Sequence, residues 1–119
     1  MESSQHILQD WKVSREKLRQ QMPGVFDSFR KVSEQVFQDG ALSRKHKELI
    51  ALGIAVKIQC RLCITLHVKQ ALETGATPAE ILEAASVAVQ MGGAPAFGEV
   101  STVLQALEER VSPALRDKA

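Results

Sequence analysis

Four residues in this 119-residue chain have the types and spacing to do chemistry together: Glu48, Cys60, Cys63 and His67. A thiol pair can cycle between dithiol and disulfide, an imidazole can take a thiol proton, and a carboxylate can orient the imidazole. On a helix each residue turns about 100°, so Cys63 falls near −60° and His67 near −20° from Cys60, all on one face. Cα atoms three residues apart on a helix are about 5 Å from each other, inside the range a disulfide can bridge. The spacing permits reversible closure without unfolding the helix.

Position along the helix matters equally. Cys60 and Cys63 fall at the cap and first turn of a helix, where free backbone N–H groups and the helix dipole favour a thiolate. The thiolate is the nucleophilic form. His67 lies one turn beyond Cys63, at the i+4 spacing where side chains meet. Exposure at the helix start favours Cys60 as the attacking thiol and proximity to His67 favours Cys63, so spacing leaves the choice open. Arg61, beside Cys60, either stabilises a thiolate or is simply solvated. If the helices before and after Ile58-Gln59 form an antiparallel hairpin, residues whose numbers sum to about 117 lie level, by the common rise per residue. Glu48 then faces about Lys69, within one turn of His67, which suggests a Glu48–His67–Cys63 proton path.

Six helices can be placed to carry these residues, and no segment reads as a strand. The first covers roughly residues 4 to 21, with Ile7, Leu8, Trp11 and Leu18 on one side, until Pro23-Gly24 breaks it. The second, about 24 to 38, repeats Val25, Phe26, Phe29, Val32, Val36 and Phe37 at helical period, and Gly40 is expected to cap it. Ser43 is a good N-cap for a third, about 44 to 58, polar for a turn and then apolar nearly all round. Such a helix must be buried, either centrally or against another subunit; a chain this small favours the second, so an oligomer is expected. The fourth runs from Cys60 or Arg61 to Thr74 and closes at Gly75. Thr77-Pro78-Ala79-Glu80 supplies an N-cap, a proline at the first position and the reciprocal glutamate of a capping box, opening a fifth helix to Met91. Gly92-Gly93 stops it, and a sixth continues to about Val111 with Val100, Val103, Leu104 and Leu107 on a stripe. Pro113 and the charged tail are expected to fray. No repeat or linker divides residues 1–119, so one domain is expected.

Composition narrows the functional classes. Fifteen basic and fourteen acidic side chains leave a net charge of +1, without the basic surplus of a nucleic-acid binder. Arg44-Lys45-His46-Lys47 is followed at once by Glu48 and reads as a solvated helix start. The longest apolar run, Leu49 to Val56, is too short to span a bilayer, and Met1 to His6 lacks the pattern of a secretory signal. A cytoplasmic protein with no membrane partner is expected. There, two cysteines three apart are catalytic or metal-binding more often than structural. Two alternatives use the same residues: a pair of inert buried cysteines, or a zinc or sensor module on Cys60, Cys63 and His67 with Glu48 or His46 as fourth ligand. His6 and His46 read as ordinary surface residues. Trp11 and the Phe26, Phe29 and Phe37 stripe read as core or interface.

The run Leu42-Ser43-Arg44-Lys45-His46-Lys47-Glu48-Leu49-Ile50-Ala51, followed by Cys60-x-x-Cys63-x-x-x-His67, resembles the carboxymuconolactone decarboxylase family, and within it the alkyl hydroperoxidase D branch. The resemblance continues through Ala71-Leu72-Glu73-Thr74-Gly75-Ala76-Thr77 and Glu80-Ile81 to Met91-Gly92-Gly93-Ala94-Pro95, and is strongest over about residues 40–97. It implies an all-α fold assembled as a homotrimer or homohexamer. It also implies that Cys63 attacks a peroxide, Cys60 resolves the sulfenic acid, and Glu48 and His67 relay protons. Well-studied members carry a second histidine where this chain has Leu62. That departure weakens the case for fast peroxidase turnover and leaves redox activity of the pair untouched. The decarboxylases that name the family generally lack the cysteine pair, which argues against a small-lactone decarboxylase.

The expectation is therefore an all-α, peroxidase-like thiol–disulfide oxidoreductase with Cys63, Cys60, His67 and Glu48 as catalytic residues. It needs no bound cofactor or metal. Its partners would be a small peroxide or disulfide substrate and an external protein dithiol that resets the pair.

Overall fold

The computed structural model describes residues 2–111 and is all-α over them. Six helices follow in order: α1 (Ser4–Gln21), α2 (Pro23–Val36), α3 (Arg44–Lys57), α4 (Arg61–Glu73), α5 (Pro78–Gly92) and α6 (Ala94–Arg110). The fraying expected from Pro113 onward lies outside the described residues.

Most boundaries follow from local chemistry. The Ser43 hydroxyl accepts from the His46 N–H at 3.2 Å and opens α3. At α5 the capping box is complete: Thr77 Oγ1 accepts from the Glu80 N–H at 3.1 Å, and Glu80 Oε1 accepts from the Thr77 N–H at 2.9 Å. Lys45 reaches the other Glu80 oxygen at 3.0 Å and ties the start of α3 to the start of α5. The thiol–amide contact that opens α4 belongs to the site below. Gly93 ends α5 and starts α6 at φ 72° and ψ −156°, a backbone region essentially reserved for glycine.

One expectation about α2 needs correction. The helix ends at Val36 with Phe37 as its C-cap, and Gly40 lies beyond it instead of capping it. Of the two places read for its apolar stripe, core or interface, the core of the protomer is not the one it occupies. α2 contains no buried residue, and Val25, Phe29, Val32 and Val36 are more than half exposed. Among the described helices α2 packs against α1 alone. Amphipathic period identifies which residues want cover, but not what supplies it.

The core lies among α3, α4, α5 and α6, with α1 laid across α4 and α6. Leu52, Val56, Ile64, Val68, Ile81, Val103 and Leu107 are fully buried. Each full burial of such a side chain contributes about 1.5–3 kcal/mol. Between them sit Ala55, Ala71, Ala85, Ala88, Ala96 and Ala106, whose small side chains let the helix axes approach closely. The third helix, apolar nearly all round, divides in two. Leu52, Ala55 and Val56 face the core, while Ile50, Ile54 and Ile58 remain half exposed or more. On α6, Val103 and Leu107 are buried but Leu104 is 40% exposed. No helix is long and apolar enough to cross a membrane, among the residues described.

Candidate functional site

The turn between α3 and α4 delivers the thiols. Gln59 adopts φ 60°, the left-handed region that a non-glycine residue enters at a cost of about 1 kcal/mol or more. Around it, the Gln59 N–H donates to the Val56 carbonyl at 3.1 Å and the Cys60 N–H to the Ala55 carbonyl at 3.1 Å. The chain reverses tightly enough for Cys60 to take the N-cap of α4, where its Sγ accepts from the Cys63 N–H at 3.2 Å. A sulfur in the place usually held by a serine or aspartate oxygen therefore meets the positive end of the helix.

Cys60 and Cys63 are joined as a disulfide, with Cα atoms 5.2 Å apart, as helical spacing anticipates. Both residues are half-buried, so neither belongs to the dry core. Arg61 is exposed on the solvent side of the turn. Once reduced, the sulfur at the cap would find backbone N–H groups and the helix dipole already aimed at it, the setting in which a thiol loses its proton readily.

One turn further along α4 stands His67. Its Nδ1 lies 2.8 Å from Glu48 Oε2 on α3. The Glu48 side chain is only 1% exposed, and that of His67 22%. An ionised carboxylate can only accept, so the hydrogen it receives sits on Nδ1, and whenever the ring is neutral its lone pair is at Nε2. That is the tautomer needed if Nε2 is to take a proton. The hairpin expectation holds with a small shift of level: Glu48 meets His67, while Lys69 instead pairs with Glu73 at 3.2 Å.

Two further side chains complete the surroundings of this pair, and neither was singled out for this role by the sequence. The Gln70 carboxamide, its nitrogen assigned to the Glu48 side because an amide oxygen there would face only acceptors, donates to Oε1 at 3.2 Å and to Oε2 at 3.1 Å. The Phe37 ring stacks on the imidazole, with centroids 5.9 Å apart and planes inclined by 23°. Phe37 was expected as core or interface; it is half-buried and closes one face of His67. The signal for Gln70 was its place three residues after His67, on the same helical face.

The other candidates lie elsewhere. His46 is exposed and its Nδ1 lies 2.8 Å from the Ser43 hydroxyl, which makes it part of the α3 cap. His6 is exposed on α1 between Glu2 and Asp10, at 3.6 and 3.3 Å. Those three are the one group of His, Cys, Asp and Glu side chains, among the described residues, whose ligand atoms all come within 4.8 Å of one another. The zinc set considered from sequence is not gathered in that way.

With this geometry in hand, comparison with known proteins gives one answer. The sequence profile of the carboxymuconolactone decarboxylase family matches residues 23–108. Uncharacterized protein 4 of the cox locus of Paracoccus denitrificans is 42% identical over 85 residues, 71% of this chain and 77% of its own length. A carboxymuconolactone decarboxylase family protein from Legionella pneumophila, solved in its apo form, superposes with a TM-score of 0.86 at 38% identity, covering 89% of this chain and 95% of that one. A family member from Thermotoga maritima, described in connection with a possible antioxidative response, gives 0.77 at 26% identity, with 87% of each chain covered. The chain belongs to the carboxymuconolactone decarboxylase family.

Proposed function

We propose that this protein is a peroxidase-like thiol–disulfide oxidoreductase working through Cys60 and Cys63. The observation that carries the reading is the disulfide at the first turn of α4, one turn from a histidine backed by a buried carboxylate. The antioxidative description of the Thermotoga maritima relative adds support.

In the dithiol state, His67 Nε2 takes the Cys63 proton while Glu48 holds the ring from behind through Nδ1. The Cys63 thiolate attacks one peroxide oxygen; the O–O bond breaks, an alcohol leaves with the proton, and Cys63 becomes a sulfenic acid. The Cys60 thiol then attacks that sulfur, the S–S bond forms and water departs. Two electrons have passed from two thiols to the peroxide. An external protein dithiol returns them by thiol–disulfide exchange, so the cycle needs no bound cofactor or metal. A small disulfide substrate would be reduced by the same pair. We place the protein in the cytoplasm, where such dithiol reductants operate.

The same reading takes the working unit to be a homotrimer or homohexamer. α2 offers an apolar stripe more than half exposed among the described residues, and a groove of about 580 Å³ between α3 and α5 is lined by Ile50, Ile54, Val87 and Met91. Apolar surface of that extent on one chain suits contact between copies.

Intact mass tests the chemistry. The reduced protein receives one equivalent of hydroperoxide, beside Cys60→Ser and Cys63→Ser. Loss of two hydrogens in the wild type, with a sulfenic acid trapped only in Cys60→Ser, is the expected result. Two accessible thiols left unchanged over hours would remove the peroxidase reading.

A further inference from the structure

Glu48 sits in an unusual position for a carboxylate. It is 1% exposed, on the inner side of α3, and an ionised group enclosed in this way needs a donor for each oxygen. His67 Nδ1 serves Oε2 at 2.8 Å. Oε1 is served by Gln70, whose amide nitrogen lies 3.2 Å away and is also 3.1 Å from Oε2. The reverse orientation would set the amide oxygen against two carboxylate oxygens, acceptor facing acceptor. Gln70 follows His67 by three residues on α4, so both side chains reach the same carboxylate from one helix.

We infer that Gln70 is a positioning residue: its amide holds the Glu48 carboxylate so that His67 keeps its hydrogen on Nδ1 and its lone pair on Nε2. The role does not require Gln70 to touch substrate. It acts through Glu48, and Glu48 acts through the ring. A donor on the far oxygen fixes the rotation of the carboxylate about its last bond. It also gives the enclosed carboxylate a second donor where water does not reach it, as burial of a charge requires. A carboxylate free to rotate would no longer hold the hydrogen on Nδ1, and either ring nitrogen could carry it. Phe37 restrains the ring from its face, while Gln70 restrains the partner of its edge.

The kinetic consequence rests on the dithiol reading proposed above, but the tautomer can be read without any substrate. The chain has three histidines, so the imidazole ¹⁵N signals of the reduced protein are few enough to assign with His6 and His46 variants. At a pH where His67 is neutral, the wild type is expected to show a protonated Nδ1 and an unprotonated Nε2. In Gln70→Met, close in shape and without a donor, the two nitrogens are expected to shift toward averaged values. Single-turnover oxidation of the dithiol by hydroperoxide should slow about tenfold, the low end for loss of a supporting hydrogen bond, with the concentration dependence on peroxide unchanged. Gln70→Glu, equal in length, sets a second carboxylate against Glu48 and is expected to do the same, and it carries the test if Gln70→Met does not fold. A wild-type ¹⁵N pattern in a folded variant overturns the inference. Failure of the wild type itself to react with hydroperoxide would instead overturn the dithiol reading, and the ¹⁵N pattern would still decide the role of Gln70.

Discussion

Replacing His67 by leucine should cost more stability than replacing Glu48 by leucine, although each removes the same hydrogen bond. The difference follows from exposure: 1% for the Glu48 side chain and 22% for that of His67. In His67→Leu the carboxylate stays enclosed, with Gln70 as its remaining donor. The lost charge-assisted bond is worth about 1.5–3 kcal/mol. Losing the ring stack on Phe37 adds about 0.5 kcal/mol, the low end for an aromatic pair, since leucine still packs there. A total of about 2–3.5 kcal/mol is expected. In Glu48→Leu the imidazole keeps an edge to water and the buried site receives an apolar group, so the cost should stay near or below about 1 kcal/mol. The double variant should resemble Glu48→Leu, leaving a coupling of about 1.5 kcal/mol or more. Urea unfolding of the oxidised protein, followed by circular dichroism, reads all three. With a slope of about 2 kcal/mol per molar, His67→Leu should lower the midpoint by about 1–1.75 M. Equal costs for the two single variants, or additivity within about 0.5 kcal/mol, would refute the argument.

Reducing the Cys60–Cys63 disulfide opens only a very short loop, so on the chain-entropy account it should lower stability by no more than about 2 kcal/mol. The helical circular dichroism should persist in excess dithiol, and its collapse would count against a cycling pair. Gly93→Ala forces a Cβ onto φ 72° and should lower the unfolding free energy by about 1–3 kcal/mol; an unchanged urea midpoint would contradict that strain. Glu80 is held below the ordinary glutamate range chiefly by the Thr77 N–H, and then by Lys45. Its capping contribution should be present above that ordinary range and fade as pH falls through the lowered value. Amide exchange at the start of α5 should therefore quicken in acid, an effect that Glu80→Gln removes. Phe29, 72% exposed at the centre of the uncovered α2 stripe, is the position to test for assembly. Phe29→Asp should reduce the mass measured by light scattering to that of the protomer, and a wild type already at 13.1 kDa would remove the oligomer proposal.

The helices and the thiol pair were legible because the signals that define them act within a few residues. Ser43, the Thr77-Pro78-Ala79-Glu80 box and Gly93 each satisfy or interrupt backbone hydrogen bonds within one turn. Cys60, Cys63 and His67 share a face of α4 because a helix has a fixed pitch. Glu48 could be brought near His67 on paper because two helices joined by a short turn must run level. Gly40 misled because a glycine after an apolar run is equally at home in the loop that follows.

What the sequence determined, then, was the set of helices and the chemistry along one of them, both governed by contacts a few residues apart. Tertiary structure alone decided which apolar residues find cover: Ile64 and Val68 of α4 and Ile81 and Ala85 of α5 enter the core, whereas Val25, Phe29, Val32 and Val36 of α2 stay more than half exposed. It also decided that Gln70 donates to Glu48 and that Phe37 lies on His67. Those contacts depend on how far one helix is rotated and shifted against another. That placement is set by the packing of many side chains together, and no single stretch of sequence carries it.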